Sequence, residues 1–116
     1  MGARIMRAGD APLYFPPLHE GVVAQRLQGL EAGPTEAFWV GRSHYPPGSS
    51  AQTSPTAAET VYVVLEGEFT LALEDQTHVL RAGDSAHMPK GTVRSMTNES
   101  GADAHLLVII ATPRDQ

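Results

Sequence analysis

The stretch GDSAHMPKGTVRSMTN, residues 83–98, decides how the rest of the chain is read. Gly83-Asp84 opens it, Pro89-Lys90-Gly91 turns it, and an extended run over residues 92–97 ends at Asn98. Proline fixes its own φ and glycine permits φ > 0, so Pro-x-Gly between two short strand-like runs predicts a tight turn. Side chains alternate across a strand, which puts Arg94 and Met96 on one side of the second run.

Working outward, residues 60–65 are β-branched and aromatic and predict a strand, with a turn at Glu66-Gly67. Phe69, Leu71 and Leu73 then alternate with Thr70, Ala72 and Glu74, the period of a half-buried strand, and residues 77–81 run back after a hairpin connection. Beyond Asn98 come polar turn residues and a continuous apolar run over 106–110, which Pro113 is expected to end. Upstream, residues 22–27 predict a strand, and residues 35–45 predict another that alternates around Phe38, Val40 and Arg42 and stops at Pro46-Pro47-Gly48. Residues 49–59 are small and polar. Pro12, Pro16 and Pro17 exclude a helix or central strand from residues 1–20, which are read as an irregular arm. Its Leu13, Tyr14, Phe15 and Leu18 are too apolar for a solvated tail, so the arm is expected to lie across the domain or a partner subunit.

The 116 residues suit one domain, residues 21–116, following the arm. A net charge of −5, with eight scattered basic residues, argues against a nucleic-acid surface. No cysteine means no disulfide framework, thiolate metal site or cysteine nucleophile. Without an apolar stretch of spanning or signal-peptide length, the expectation is a soluble cytoplasmic protein with no membrane partner. Many short strands separated by turn signals, with no helical apolar stripe, predict an all-β jelly-roll barrel or a sandwich of another topology.

The spacing Gly83-x5-Pro89-x-Gly91-x2-Arg94-x3-Asn98 resembles the second motif of the cupin superfamily. Pro47-Gly48 and Tyr62 to Gly67 (YVVLEG) resemble the two ends of its first motif, so the likeness spans residues 38–111. It implies a double-stranded β-helix barrel, commonly a homodimer. In that family the first motif supplies H-x-H and a glutamate to a metal, and the second supplies a third histidine. Here the second-motif position is Arg94, the glutamate position is Thr60 with Glu59 one residue off, and the H-x-H positions are Thr53 and Pro55 or Ser54 and Thr56. All three histidines are absent, and the resemblance therefore implies a degenerate site with no metal and no cofactor.

Arg94 becomes the informative residue. A guanidinium stays charged and needs an anion if it faces the barrel interior, either Glu59 or another acidic side chain as an internal partner or the carboxylate or phosphate of a ligand. The expected ligand-binding residues are Arg94, Glu59, Tyr62, His44 and Met96. Ser43 beside His44 does not make a triad, because adjacent strand residues face apart, and no glycine pair is followed by a helix start for a phosphate loop. The reading is metal-independent binding of a small anionic molecule in the barrel. One alternative is a metal-dependent dioxygenase, isomerase or lyase using Glu59, His44 and His87. The other is a structural or regulatory dimeric domain that uses the arm.

Overall fold

The Pro89-Lys90-Gly91 turn forms as its residues predict, and Thr56 closes it from across the fold. The Thr56 hydroxyl donates to the Pro89 carbonyl at 2.8 Å and accepts from the Thr92 amide at 3.1 Å, while the Gly91 amide donates to the Thr56 carbonyl at 2.8 Å. Asn98 fastens the other end of the stretch. Its amide nitrogen donates to the carbonyls of Tyr45 and Ala102, both at 2.7 Å, and its side-chain oxygen accepts from the Ser100 amide and hydroxyl. Asn98 is buried, so these bonds satisfy polar atoms that water cannot reach.

The computed structural model describes residues 2–112; Pro113 lies outside the described residues. Eleven strands occur among them: β1 (Leu13–Tyr14), β2 (His19–Glu20), β3 (Val23–Gln28), β4 (Phe38–Tyr45), β5 (Ser50–Pro55), β6 (Thr60–Glu66), β7 (Glu68–Ala72), β8 (Thr77–Arg81), β9 (Ser85–Met88), β10 (Val93–Thr97) and β11 (Ala104–Ala111). Short 3-10 turns at Ala8–Asp10 and Leu30–Ala32 are the helical elements found. The strands form a six-stranded sheet in the order β1-β3-β4-β11-β6-β9 and a five-stranded sheet in the order β2-β5-β10-β7-β8, with antiparallel pairing throughout. The molecule is therefore an all-β jelly-roll barrel. Among the described residues no helix is long and apolar enough to cross a membrane.

Two stretches differ from the sequence reading. Residues 50–55, small and polar and assigned no strand from the sequence, form β5 because β10 and β2 flank it and supply its hydrogen bonds. The arm is not wholly irregular: β1 pairs with β3 at the edge of one sheet and β2 pairs with β5 at the edge of the other. Edge positions tolerate the prolines because an edge strand leaves one side unpaired. The arm thus lies across its own domain, and Phe15 is 88% exposed.

Alternation sorts each strand into two faces. Ser43 and Tyr45 of β4, Tyr62 and Val64 of β6, Phe69 and Leu71 of β7, Met96 of β10, and Leu106 and Val108 of β11 are buried between the sheets. Tyr45 meets Phe69 edge to face, with ring centroids 5.0 Å apart.

Candidate functional site

Toward the arm the sheets separate around a cavity of 540 Å³, and Arg94 lies in its wall. β10 carries Arg94 opposite Ser54 of β5, with a register shift before Met96. Arg94 Nε donates to the Tyr62 hydroxyl at 3.1 Å, and Nη1 donates to the Gln52 carbonyl and the Ser54 hydroxyl, each at 3.2 Å. All three acceptors are neutral. Among the described residues no carboxylate pairs with this guanidinium. His19 lies on the same wall and its Nδ1 is 2.8 Å from the Pro17 carbonyl. With Nδ1 donating there, Nε2 is left as an acceptor.

A second cation lines the cavity. Arg26 of β3 packs into a corner of two aromatic side chains, its guanidinium carbon 3.6 Å from the centroid of Tyr14 and 4.0 Å from that of Trp39. Its Nε donates to Glu31 at 2.8 Å, and its Nη1 is buried without a hydrogen-bond partner. Burial, partly opposed by Arg26, pushes the Tyr14 phenol up, and burial also pushes up Tyr45. These walls therefore stay neutral. The contiguous arm residues Leu13 to His19 supply the next part of the lining.

The expected site residues separate. Arg94 and Tyr62 meet in the cavity, whereas Met96 is buried in the core without lining it. Glu59 does not reach Arg94: it lies outside the cavity wall and pairs with His87 at 2.7 Å, both side chains being more than half exposed. Its neighbour Thr60 takes the inward position, because adjacent residues face opposite ways. His44 also lies off the cavity. On β4 the inward parity is that of Gly41, Ser43 and Tyr45, so Val40, Arg42 and His44 face away. His44 stacks on His105, with centroids 4.6 Å apart, and its Nε2 is 3.3 Å from Asp103. The sequence reading missed Arg26, Tyr14, Trp39 and His19. The burial pattern of β4 holds the signal for Trp39, since it shares parity with Ser43 and Tyr45.

The outward histidine cluster has a pH consequence. Burial, Arg42 and His44 hold His105 below the ordinary 6.5, with Glu66 and Asp103 opposing. Burial also lowers His19, joined by Arg94 and opposed by the Pro17 carbonyl. The unfolded chain binds more protons at these rings than the folded one, so stability is complete above the unfolded value and falls as pH drops through it. Urea midpoints should agree at about pH 7.5 and 8.5 and fall at about pH 5.5, with a smaller fall in His105→Gln. A midpoint that rises on acidification would contradict the sign.

The donor set does not fit the metal that the two cupin motifs ordinarily hold. At the positions of the family's ligands the inward-facing set is Ser54, Thr56, Thr60 and Arg94. Ser54 accepts from Arg94, both hydrogen-bonding roles of the Thr56 hydroxyl are taken by the Pro89–Thr92 turn, and Thr60 donates to the Ala58 carbonyl. None of the four offers an imidazole or carboxylate, the donors that a first-row divalent ion selects. Glu59 and His87 meet outside the cavity, but His44 lies with His105 and Asp103 instead, and no group of three or more such donors occurs among the described residues. Protein purified without immobilised nickel should contain well under one first-row metal per chain by plasma emission spectroscopy. A stoichiometric metal that resists dialysis would refute this.

Comparison with known proteins places the chain. The model of the cupin domain matches residues 41–110. This chain belongs to the cupin family. At 48% identity over 110 residues, covering 95% of each chain, the cupin is similar to Beta-D-galactosidase Rv1717 of Mycobacterium tuberculosis. Among solved structures it superposes on the polyketide cyclase RemF from Streptomyces resistomycificus at a TM-score of 0.82, with 22% identity over 100% of this chain and 83% of that one. It superposes on a predicted oxalate decarboxylase from Thermotoga maritima at 0.76, with 24% identity over 94% of this chain and 100% of the other. At these identities the two structures establish the barrel and no activity.

Proposed function

We propose that this cupin binds a small, hydroxylated anion of sugar size in its barrel, without a metal ion. The observation that carries the reading is Arg94, a permanent cation in the wall of a 540 Å³ cavity whose protein partners are all neutral. A desolvated guanidinium is costly unless an anion joins it, and a carboxylate offers two oxygens to its planar fork. The volume suits a small molecule. Hydroxylation is inferred from the 48% identical relative, whose name specifies a β-D-galactosidase. Thermal shift and calorimetry with galacturonate, galactonate and galactose, each with and without EDTA, test the proposal. The two acids should stabilise the protein whether or not EDTA is present, and galactose should do so less. No stabilisation by either acid sinks it.

The same relative favours a second reading, cleavage of a β-galactoside. Glycoside hydrolysis ordinarily uses two carboxyl groups flanking the bond. Among the described residues Glu31 is the acidic side chain lining the cavity, and its bond to Arg26 holds the carboxyl below its ordinary range. Tyr62 and neutral His19 are the remaining groups suited to moving a proton. Turnover of an aryl β-D-galactoside that survives EDTA and is lost in Tyr62→Phe would favour catalysis over binding alone.

A homodimer belongs to the same proposal. Val40, Val61, Val63, Leu107 and Ile109 form an apolar strip on the outward face of the six-stranded sheet, each partly exposed. A second copy would cover it, and size-exclusion chromatography with light scattering gives the subunit count.

A further inference from the structure

We infer that the cavity is charge-asymmetric, with an anion site at Arg94 and a neutral-oxygen site at Arg26, so that its ligand is a hydroxylated monocarboxylate and not a dicarboxylate. The inference rests on the binding reading above and adds the chemical class of the ligand.

The two arginines lining the cavity differ in what already surrounds them. Arg94 donates to a phenol, a serine hydroxyl and a backbone carbonyl, none of which cancels its charge. Arg26 is bonded through Nε to Glu31 at 2.8 Å, with only 13% of its side chain exposed. That pair has no net charge. A second carboxylate brought to Arg26 would lose its hydration and meet Glu31 as a like charge, whereas a hydroxyl, ether or carbonyl oxygen would meet a donor and no repulsion.

Arg26 still has donors to give. Tyr14 and Trp39 cover it and Glu31 takes Nε, while Nη1 is buried and makes no hydrogen bond within the described residues. Buried donors are normally paired; Nη1 itself is closed to water, so a ligand oxygen would meet the part of Arg26 that lines the cavity. The adjoining Tyr14 and Trp39 rings, 5.6 Å apart and nearly perpendicular, offer apolar surface to the carbon face of a sugar ring.

Calorimetry with galacturonate, galactarate and galactose, which carry one, two and no carboxylates, tests this on the wild type and on Glu31→Gln. In the wild type galacturonate should bind about tenfold or more tighter than galactarate. Glu31→Gln removes an exposed carboxylate and leaves Arg26 charged, so galactarate should gain on galacturonate by about tenfold. Far-UV circular dichroism confirms that the variant is folded, and Arg26→Lys, which keeps charge but loses the planar edge, should weaken galacturonate in either background. If both acids bind the wild type equally, or if Glu31→Gln leaves their ratio unchanged, the asymmetry is refuted while the anion site at Arg94 stands. If neither acid binds, both are refuted.

Discussion

Arg94→Met is expected to weaken galacturonate binding by about a hundredfold or more while leaving the urea midpoint unchanged or raised. Removing one partner of a hydrogen-bonded charge pair costs about 2–5 kcal/mol, and each 1.4 kcal/mol is about tenfold in affinity. Methionine replaces most of the arginine stem without a polar atom and adapts to irregular space. The bonds lost to Tyr62, Ser54 and the Gln52 carbonyl are bonds to neutral groups, so the empty protein gives up little when the cation goes. It is also relieved of a partly buried charge. Opposite signs for binding and stability mark a residue kept for its ligand. Arg94→Lys should fall between, since a lysine keeps the charge but loses the fork. Undiminished binding in Arg94→Met would remove Arg94 from the site.

Gly67→Ala should destabilise the fold by about 3 kcal/mol or more. Gly67 joins β6 to β7 with φ +80, a left-handed conformation, and a Cβ built there would lie 2.6 Å from the Asp103 carbonyl oxygen and 2.8 Å from the Ala104 Cα. Both atoms are backbone, which leaves nothing flexible to move aside. Gly48→Ala is the matched control: it has φ +84, but its added Cβ would meet nothing within 4 Å. It should therefore cost about 1 kcal/mol for conformation alone. Equal urea midpoints for the two variants would contradict the close approach of the β6–β7 corner to the start of β11.

The second motif and its barrel were legible because their signals are local. Pro89 and Gly91 constrain their own dihedrals, and Phe69 and Leu71 display their alternation within five residues. β5 was illegible for the opposite reason, since SAQTSP has no apolar alternation and becomes a strand only between β2 and β10. That Arg94 and Tyr62 both face the interior was legible from parity within the second and first motifs, but the bond between them was not, since Glu59 or a ligand was the expected partner. The parity of β4 was equally visible, but its direction was not. Val40 and His44 look like interior residues until the stack of His44 on His105 shows that they face outward, with Trp39 and Ser43 turned inward. Arg26 gave no sign at all, because Tyr14, Glu31 and Trp39 reach it from three separate elements.

The arm is sewn to one sheet by β1 and to the other by β2, and each seam is two residues long. The Arg26 amide bonded to the Pro12 carbonyl and the Gln52 amide bonded to the Leu18 carbonyl extend these seams slightly. So short a seam frays without unfolding the sheet beside it, and fraying one leaves the segment tethered by the other. For the ligand proposed above, release would be paced by these seams, while the arginines would set the strength of its hold. Leu13 and Leu18 belong both to a seam and to the lining, so substitutions there would alter how fast the wall opens and what it presents to a ligand.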